Sequence, residues 1–142
     1  MRFEGKGLKA KIRCDETLLV NQVNTVDQGE PIILLHGWGM SASVFDPLRD
    51  LLSHQREVIT VDLPGYGQNQ WDESLCFEDQ VALISEQVPE GVLLGWSMGG
   101  LYATEMARQN PGRFNRLILM CCNPCFVRRE DWSFAVDESV FD

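Results

Sequence analysis

Between Val92 and Gly100 the chain reads Val-Leu-Leu-Gly-Trp-Ser-Met-Gly-Gly. An apolar run is followed by the pattern Gly-x-Ser-x-Gly, a second glycine and then a helical sequence. Few folds accommodate that order. A serine on a sharp strand-to-helix turn projects its hydroxyl clear of the sheet, toward a base and a substrate. Gly95 and Gly99 keep side chains out of a crowded turn whose central residue takes a strained backbone conformation. The helix that follows aims its N-terminal amides at the place where negative charge develops when a carbonyl is attacked. Ser97 is therefore the candidate catalytic nucleophile.

The rest of the chain supplies a matching scaffold. Leu8 to Cys14 alternates apolar and basic residues, as an edge strand with one wet face would. Asp15-Glu16 then reads as a tight hairpin leading into a second strand, Thr17 to Asn24. Ile32 to Leu35 is a short all-apolar run suited to a strand buried on both faces, and Val58 to Leu63 reads as another buried strand. Asp46-Pro47 has the form of an N-cap and first helical position, with Leu48, Leu51 and Leu52 as the inner stripe of a short helix. Phe77, Val81, Ile84 and Val88 recur at helical spacing, with Glu78 and Asp79 in the first turn. After the Val92–Leu94 strand, Gly100, Ala103 and Ala107 line one face of a helix that can lie close to the sheet. Pro111-Gly112 ends that helix, and Leu117 to Met120 is the last clear strand. Strands alternating with helices predict an α/β fold: a mostly parallel sheet, helices on both faces, opened by an antiparallel hairpin. Ile32–Leu35 is expected between Val58–Leu63 and Val92–Leu94. His36, Asp62, Ser97 and Asn123 fall at or near carboxyl ends of strands, where ligands of such sheets bind.

Composition narrows the function. A net charge of −9 leaves no basic excess to neutralise phosphates, which argues against nucleic acid and anionic membranes as partners. Met1 to Gly7 is charged and lacks the apolar core of a signal peptide, and no apolar run approaches the roughly 20 residues of a membrane span. A soluble, cytoplasmic protein is expected. The five cysteines, Cys14, Cys76, Cys121, Cys122 and Cys125, are irregularly spaced, which disfavours a disulfide framework. Cys122-x-x-Cys125 has the spacing of half a zinc site, but no second pair or nearby histidine completes it, so reduced thiols are expected.

At the level of motifs the chain resembles the α/β-hydrolases, and more narrowly the pimeloyl-[acyl-carrier protein] methyl ester carboxylesterases of biotin synthesis. The resemblance rests on Leu34-Leu35-His36-Gly37-Trp38-Gly39, Val61-Asp62-Leu63-Pro64-Gly65-Tyr66-Gly67, Leu94 to Leu101, and Asn123-Pro124-Cys125-Phe126. The first three blocks mark the fold. Trp38, Trp96, Pro124-Cys125-Phe126 and Trp132 point to the carboxylesterases. The resemblance implies an oxyanion hole made by the backbone N–H groups of Trp38 and Met98, with Trp38, Ser97 and Met98 touching substrate. It implies no metal and no organic cofactor. It makes His36 a structural histidine supporting the oxyanion loop. The Trp38 ring has two readings, core packing or a wall for an acyl chain. His54 reads as a solvated residue at a helix end. Asp62 to Gly67 has the glycine content of a phosphate loop, but its glycines do not lead into a helix, and a structural turn lining the pocket is expected.

A serine hydrolase of this kind also needs an acid and then a histidine after the nucleophile. Both histidines, His36 and His54, precede Ser97. Asp131, Asp137, Glu138 and Asp142 are the late acids, and they fall where the resemblance places the start of a helical lid. Residues 1–142 are accordingly expected to be the N-terminal part of a single α/β-hydrolase domain, inactive by themselves. The expected substrate is a small ester or one carried on acyl-carrier protein. The other readings are a lactonase, an aminopeptidase, a carbon–carbon bond hydrolase, or a non-catalytic fragment. Arg128-Arg129 is the one basic pair singled out for contact with an acidic carrier.

Overall fold

A computed structural model describes residues 20–23 and 29–140 of the chain. The expected strand Leu8–Cys14, the Asp15-Glu16 hairpin and Asp142 lie outside the described residues. Five strands form one sheet: β1 (Val20–Val23), β2 (Ile32–Leu35), β3 (Val58–Val61), β4 (Gly91–Trp96) and β5 (Phe114–Met120). Their spatial order is β1-β3-β2-β4-β5. β2, β3, β4 and β5 run parallel, and β1 alone is antiparallel, paired with β3. The expected placement of Ile32–Leu35 between the other two apolar strands is what the sheet has.

Alternation along these strands feeds two cores, because successive side chains point to opposite faces. Ile33, Leu35, Ile59, Val61 and Leu93 pack on one face with Val81 and Ile84 of α2 (Phe77–Gln87) and Tyr102, Ala103 and Met106 of α3 (Gly99–Gln109). Ile32, Leu34, Val58, Val92 and Leu94 pack on the other, against Phe45, Leu48 and Leu52. Both faces of β2, β3 and β4 are therefore covered, which explains why their sequences are apolar on both faces, with Thr60 of β3 the buried exception.

The short helix differs from expectation in two respects. A 3₁₀ turn, Ala42–Phe45, runs directly into α1 (Asp46–Leu52), so Phe45 takes the N-cap place and Asp46 is already helical. Asp46 instead pairs with Arg49 at 2.6 Å, one turn along. Leu51 is 66% exposed. Phe45, Leu48 and Leu52, at i, i+3 and i+7, already complete the buried stripe, and Leu51 lies about 100° around the helix from Leu52.

At the far edge, β5 pairs only with β4 among the described residues. Leu117, Ile118, Leu119 and Met120 are each 39–49% exposed, so this apolar strand is only partly covered by α3. No described helix is long and apolar enough to cross a membrane.

Candidate active site

Ser97 sits between the last residue of β4 and the first turn of α3, at φ +53°, one of two non-glycine residues with positive φ among those described. A side chain in that region is strained, and the surroundings hold it there. The Ser97 N–H donates to Met120 O at 2.9 Å, prolonging the β4–β5 ladder, while the Gly100 N–H donates to Ser97 O at 2.9 Å, closing the helical turn. The strand thus ends on the same residue at which the helix starts. Glycines permit the closeness: a Cβ on Gly99 would lie 2.1 Å from Leu35 O, and one on Gly95 2.5 Å from Gly100 Cα.

The loop after β2 runs beside this turn. A Cβ on Gly37 would lie 3.3 Å from Ser97 Cβ, so Trp38 and Met98 follow two residues that are themselves close neighbours. The Trp38 ring is 58% exposed and lines a cavity, which overturns the core-packing reading.

His36 is fully buried, with both ring nitrogens engaged. The Leu63 N–H donates to Nε2 at 3.0 Å, and Nδ1 lies 2.8 Å from Gly37 O. An N–H donor on Nε2 and a carbonyl at Nδ1 leave only the neutral Nδ1–H tautomer, by the logic of donors and acceptors. Burial pushes the imidazole below its usual range, against the opposing pull of Gly37 O and Asp62. A neutral histidine without a spare nitrogen cannot take the serine proton. It ties the β2 loop to the end of β3. His54 is exposed just beyond α1, at the end of the sheet where β3 begins, opposite the carboxyl ends.

Asp62 is also structural. Its Oδ1 accepts the Ala42 N–H at 2.7 Å and its backbone O accepts from Asn69 Nδ2. The turn Pro64–Gly67 that follows is closed by Tyr66 N–H to Leu63 O at 2.9 Å and Gly65 N–H to Asn69 O at 3.1 Å. Of the four strand-end residues named from the sequence, Ser97 therefore stands without His36 or Asp62 as catalytic partners. Asn123 lines a different depression, with Cys121, Cys122 and Glu105, on the β5 side of Leu101.

The cavity beside Ser97 has a volume of about 540 Å³. Trp38 and Met98, the turn residues Pro64, Gly65 and Tyr66 with Trp71, and the helix residues Phe77, Leu101 and Tyr102 line it. Sequence pattern points to the Pro64–Tyr66 turn and Trp38 but not to Trp71, Phe77 and Tyr102. Trp71, an indole in a polar stretch, and Phe77, on the open side of α2 at 38% exposure, were the available signals. The Tyr102 hydroxyl donates to Gln80 Oε1 at 3.0 Å, and burial pushes the phenol up to about 12.

None of the described late acids lines the cavity next to Met98. Asp131, Asp137 and Glu138 are exposed in the irregular segment after β5, and Asp137 pairs with Arg128 at 3.3 Å. That pairing occupies half of the Arg128-Arg129 pair within its own segment. Cys76, Cys121, Cys122 and Cys125 are free thiols, and no cluster of three or more metal-ligating side chains occurs among the described residues. Cys122 is used in packing: its Sγ lies 3.2 Å from Gly95 O, and burial raises its thiol.

The sheet, parallel apart from β1, has helices on both faces and carries a strained serine on its β4–α3 turn. The sequence pattern of the alpha/beta hydrolase family matches residues 32–141, and the chain belongs to that family. Among curated proteins it is similar to the pimeloyl-[acyl-carrier protein] methyl ester esterase of Xylella fastidiosa strain M12, 40% identical over 120 residues covering 84% of this chain and 47% of that protein. The protein of the same name from Aliivibrio salmonicida is 41% identical over 109 residues, covering 76% and 42%. Among solved structures, an esterase from Exiguobacterium antarcticum superposes with a TM-score of 0.70 at 25% identity, covering 87% of this chain and 48% of that one. The chain thus spans less than half the length of each of these proteins.

Proposed function

We propose that this chain is the nucleophile-bearing part of a serine carboxylesterase, and that its ester is a methyl ester such as that of a pimeloyl group on acyl-carrier protein. The observation that carries the reading is Ser97 itself: a non-glycine residue held at φ +53° between β4 and α3, beside an open cavity. In this reading Ser97 Oγ attacks the ester carbonyl, and the Trp38 and Met98 amides hold the oxygen as it becomes negative. Such donors act in proportion to the charge that appears, and losing one costs about 10²–10³ in rate. The alcohol leaves, and water then cleaves the acyl-enzyme. Both steps need a general base, and a serine without one is a weak nucleophile. His36 is committed to Leu63 and Gly37, and His54 lies at the opposite end of the sheet. In this reading the base is a histidine other than these two, which are the only ones in residues 1–142.

The substrate assignment takes its support from the names of the similar proteins and from the uncharged cavity. It is tested by comparing a methyl ester of an acyl-carrier-bound dicarboxylate with a lactone and a peptide amide, using the chain extended through an acid and a histidine. Ser97-dependent release of methanol from the carrier-bound ester, well above turnover of the other two, is the expected result. Preference for the lactone or the amide would reassign the substrate while keeping the nucleophile.

A further inference from the structure

The cavity beside Ser97 is built from aromatic side chains that reach it from separate parts of the chain. Trp38 comes from the loop after β2, Tyr66 and Trp71 from the segment after β3, Phe77 from the start of α2, and Tyr102 from α3. No residue lining it carries a charge. The phenol of Tyr102 turns its hydrogen to Gln80, and Phe77 meets the Tyr102 ring edge to face at a centroid distance of 4.9 Å.

Trp71 differs from the others. It is 58% exposed, and it follows a short closed loop by two residues. Gly65 accepts no side chain without strain at φ +83°, and a Cβ there would touch Trp71 at 3.5 and 3.6 Å, so the indole lies against the glycine backbone. The loop between them is held by Gly65 N–H to Asn69 O, Asn69 N–H to Tyr66 O at 3.0 Å, and Asn69 Nδ2 to Asp62 O. A large apolar ring left open to solvent on a hydrogen-bonded turn loses little further freedom when a ligand covers it.

We propose that Trp71 is a specificity-determining residue: together with Phe77, which lines the same cavity, it forms an uncharged aromatic wall that accepts a neutral, flexible carbon chain and rejects a charged one. The inference rests on the reading of Ser97 as nucleophile only for its orientation, which puts the reacting carbonyl at the Trp38–Met98 rim and the remainder of the ester against Trp71 and Phe77. Selection against charge follows from desolvation. A carboxylate entering this cavity would lose water and meet no cation, whereas a methylene chain or ester loses little and gains ring contacts.

Binding to the 142-residue chain tests this without requiring turnover. The probes are dimethyl adipate, the adipate dianion and hexane-1,6-diamine, titrated into labelled protein while the indole N–H resonances of Trp38, Trp71, Trp96 and Trp132 are followed. The diester is expected to shift the Trp71 and Trp38 signals and leave Trp132 unmoved, with the dianion binding at least tenfold more weakly. Trp71→Ala should weaken the diester about tenfold, the scale of one lost aromatic contact, and Trp71→Phe should restore most of it. An unmoved Trp71 signal, equal binding of the dianion, or tighter binding of the diamine through cation–π contact would each overturn the proposal. Diester binding with no Ser97-dependent hydrolysis in any longer form would leave this wall standing and remove the nucleophile instead.

Discussion

His36 and Leu63 are joined side chain to backbone: the Leu63 amide donates to Nε2 of the fully buried imidazole at 3.0 Å, fastening the loop after β2 to the end of β3. Since the loop so fastened carries Gly37 and Trp38 past Ser97, this histidine sets the site's shape without joining its chemistry. His36→Ala should destabilise the chain by at least about 1–3 kcal/mol, because the Leu63 N–H is left buried without a partner. Denaturant titration measures it.

The same residue makes stability depend on pH in a definite direction. Burial holds the folded pKa of His36 below its ordinary value of 6.5, so the unfolded chain binds more protons at mildly acidic pH. Its stabilising contribution is complete above that ordinary value and is lost as pH falls through the lower folded pKa. Melting temperature should therefore drop on acidification below about 6.5 more steeply in the wild type than in His36→Ala. Parallel curves for the two would contradict the neutral, doubly bonded imidazole.

Strain at Ser97 gives a second expectation. At φ +53° a glycine is relaxed where serine is not. Ser97→Gly should raise stability by about 1 kcal/mol, while Ser97→Ala, which keeps a Cβ, should change it little. Equal stability of the glycine and alanine variants would mean that the turn stores no strain.

Gly100 and Cys122 form a testable pair. A Cβ on Gly100 would lie 2.1 Å from Cys122 Sγ. Gly100→Ala should cost about 1–3 kcal/mol by overpacking, and adding Cys122→Ala should recover much of that loss. Additive losses in the double variant would show that the clash is relieved elsewhere.

Much of this architecture is legible in the sequence because its signals are local. Short, mostly apolar runs mark strands buried on both faces, and the residues around Ser97 carry strand end, turn and helix start within nine positions. The differences at α1 have a local cause of another kind. Nothing in Ala42–Phe45 announces a 3₁₀ turn, and in a seven-residue helix one misplaced leucine changes the inferred face. The cavity is only half legible. Trp38, Trp71, Phe77 and Tyr102 belong to different elements and meet only when the sheet order is fixed, so no spacing rule links them. Strand-end position alone also groups His36 and Asp62 with Ser97, although hydrogen bonds assign both to holding loops.

The exposed strand β5 predicts behaviour in solution. Among the described residues Leu117–Met120 offers an edge without a strand partner and partly exposed apolar side chains, a template for joining another chain. The 142-residue chain should self-associate at micromolar concentration, and Ile118→Lys should shift sedimentation toward monomer. A wild-type chain that sediments as a monomer at high concentration would count against this.

The ratio of ester-hydrolysis rates, wild type over Ser97→Ala, tests the central claim most directly. For a short activated ester the ratio should be close to one in the 142-residue chain, whose two histidines are bonded away or remote. It should rise by several orders of magnitude, about 10³ or more, in a polypeptide extended through an acid and a histidine. A ratio far above one in the isolated chain, or a ratio near one in an extended and folded form, would contradict the account.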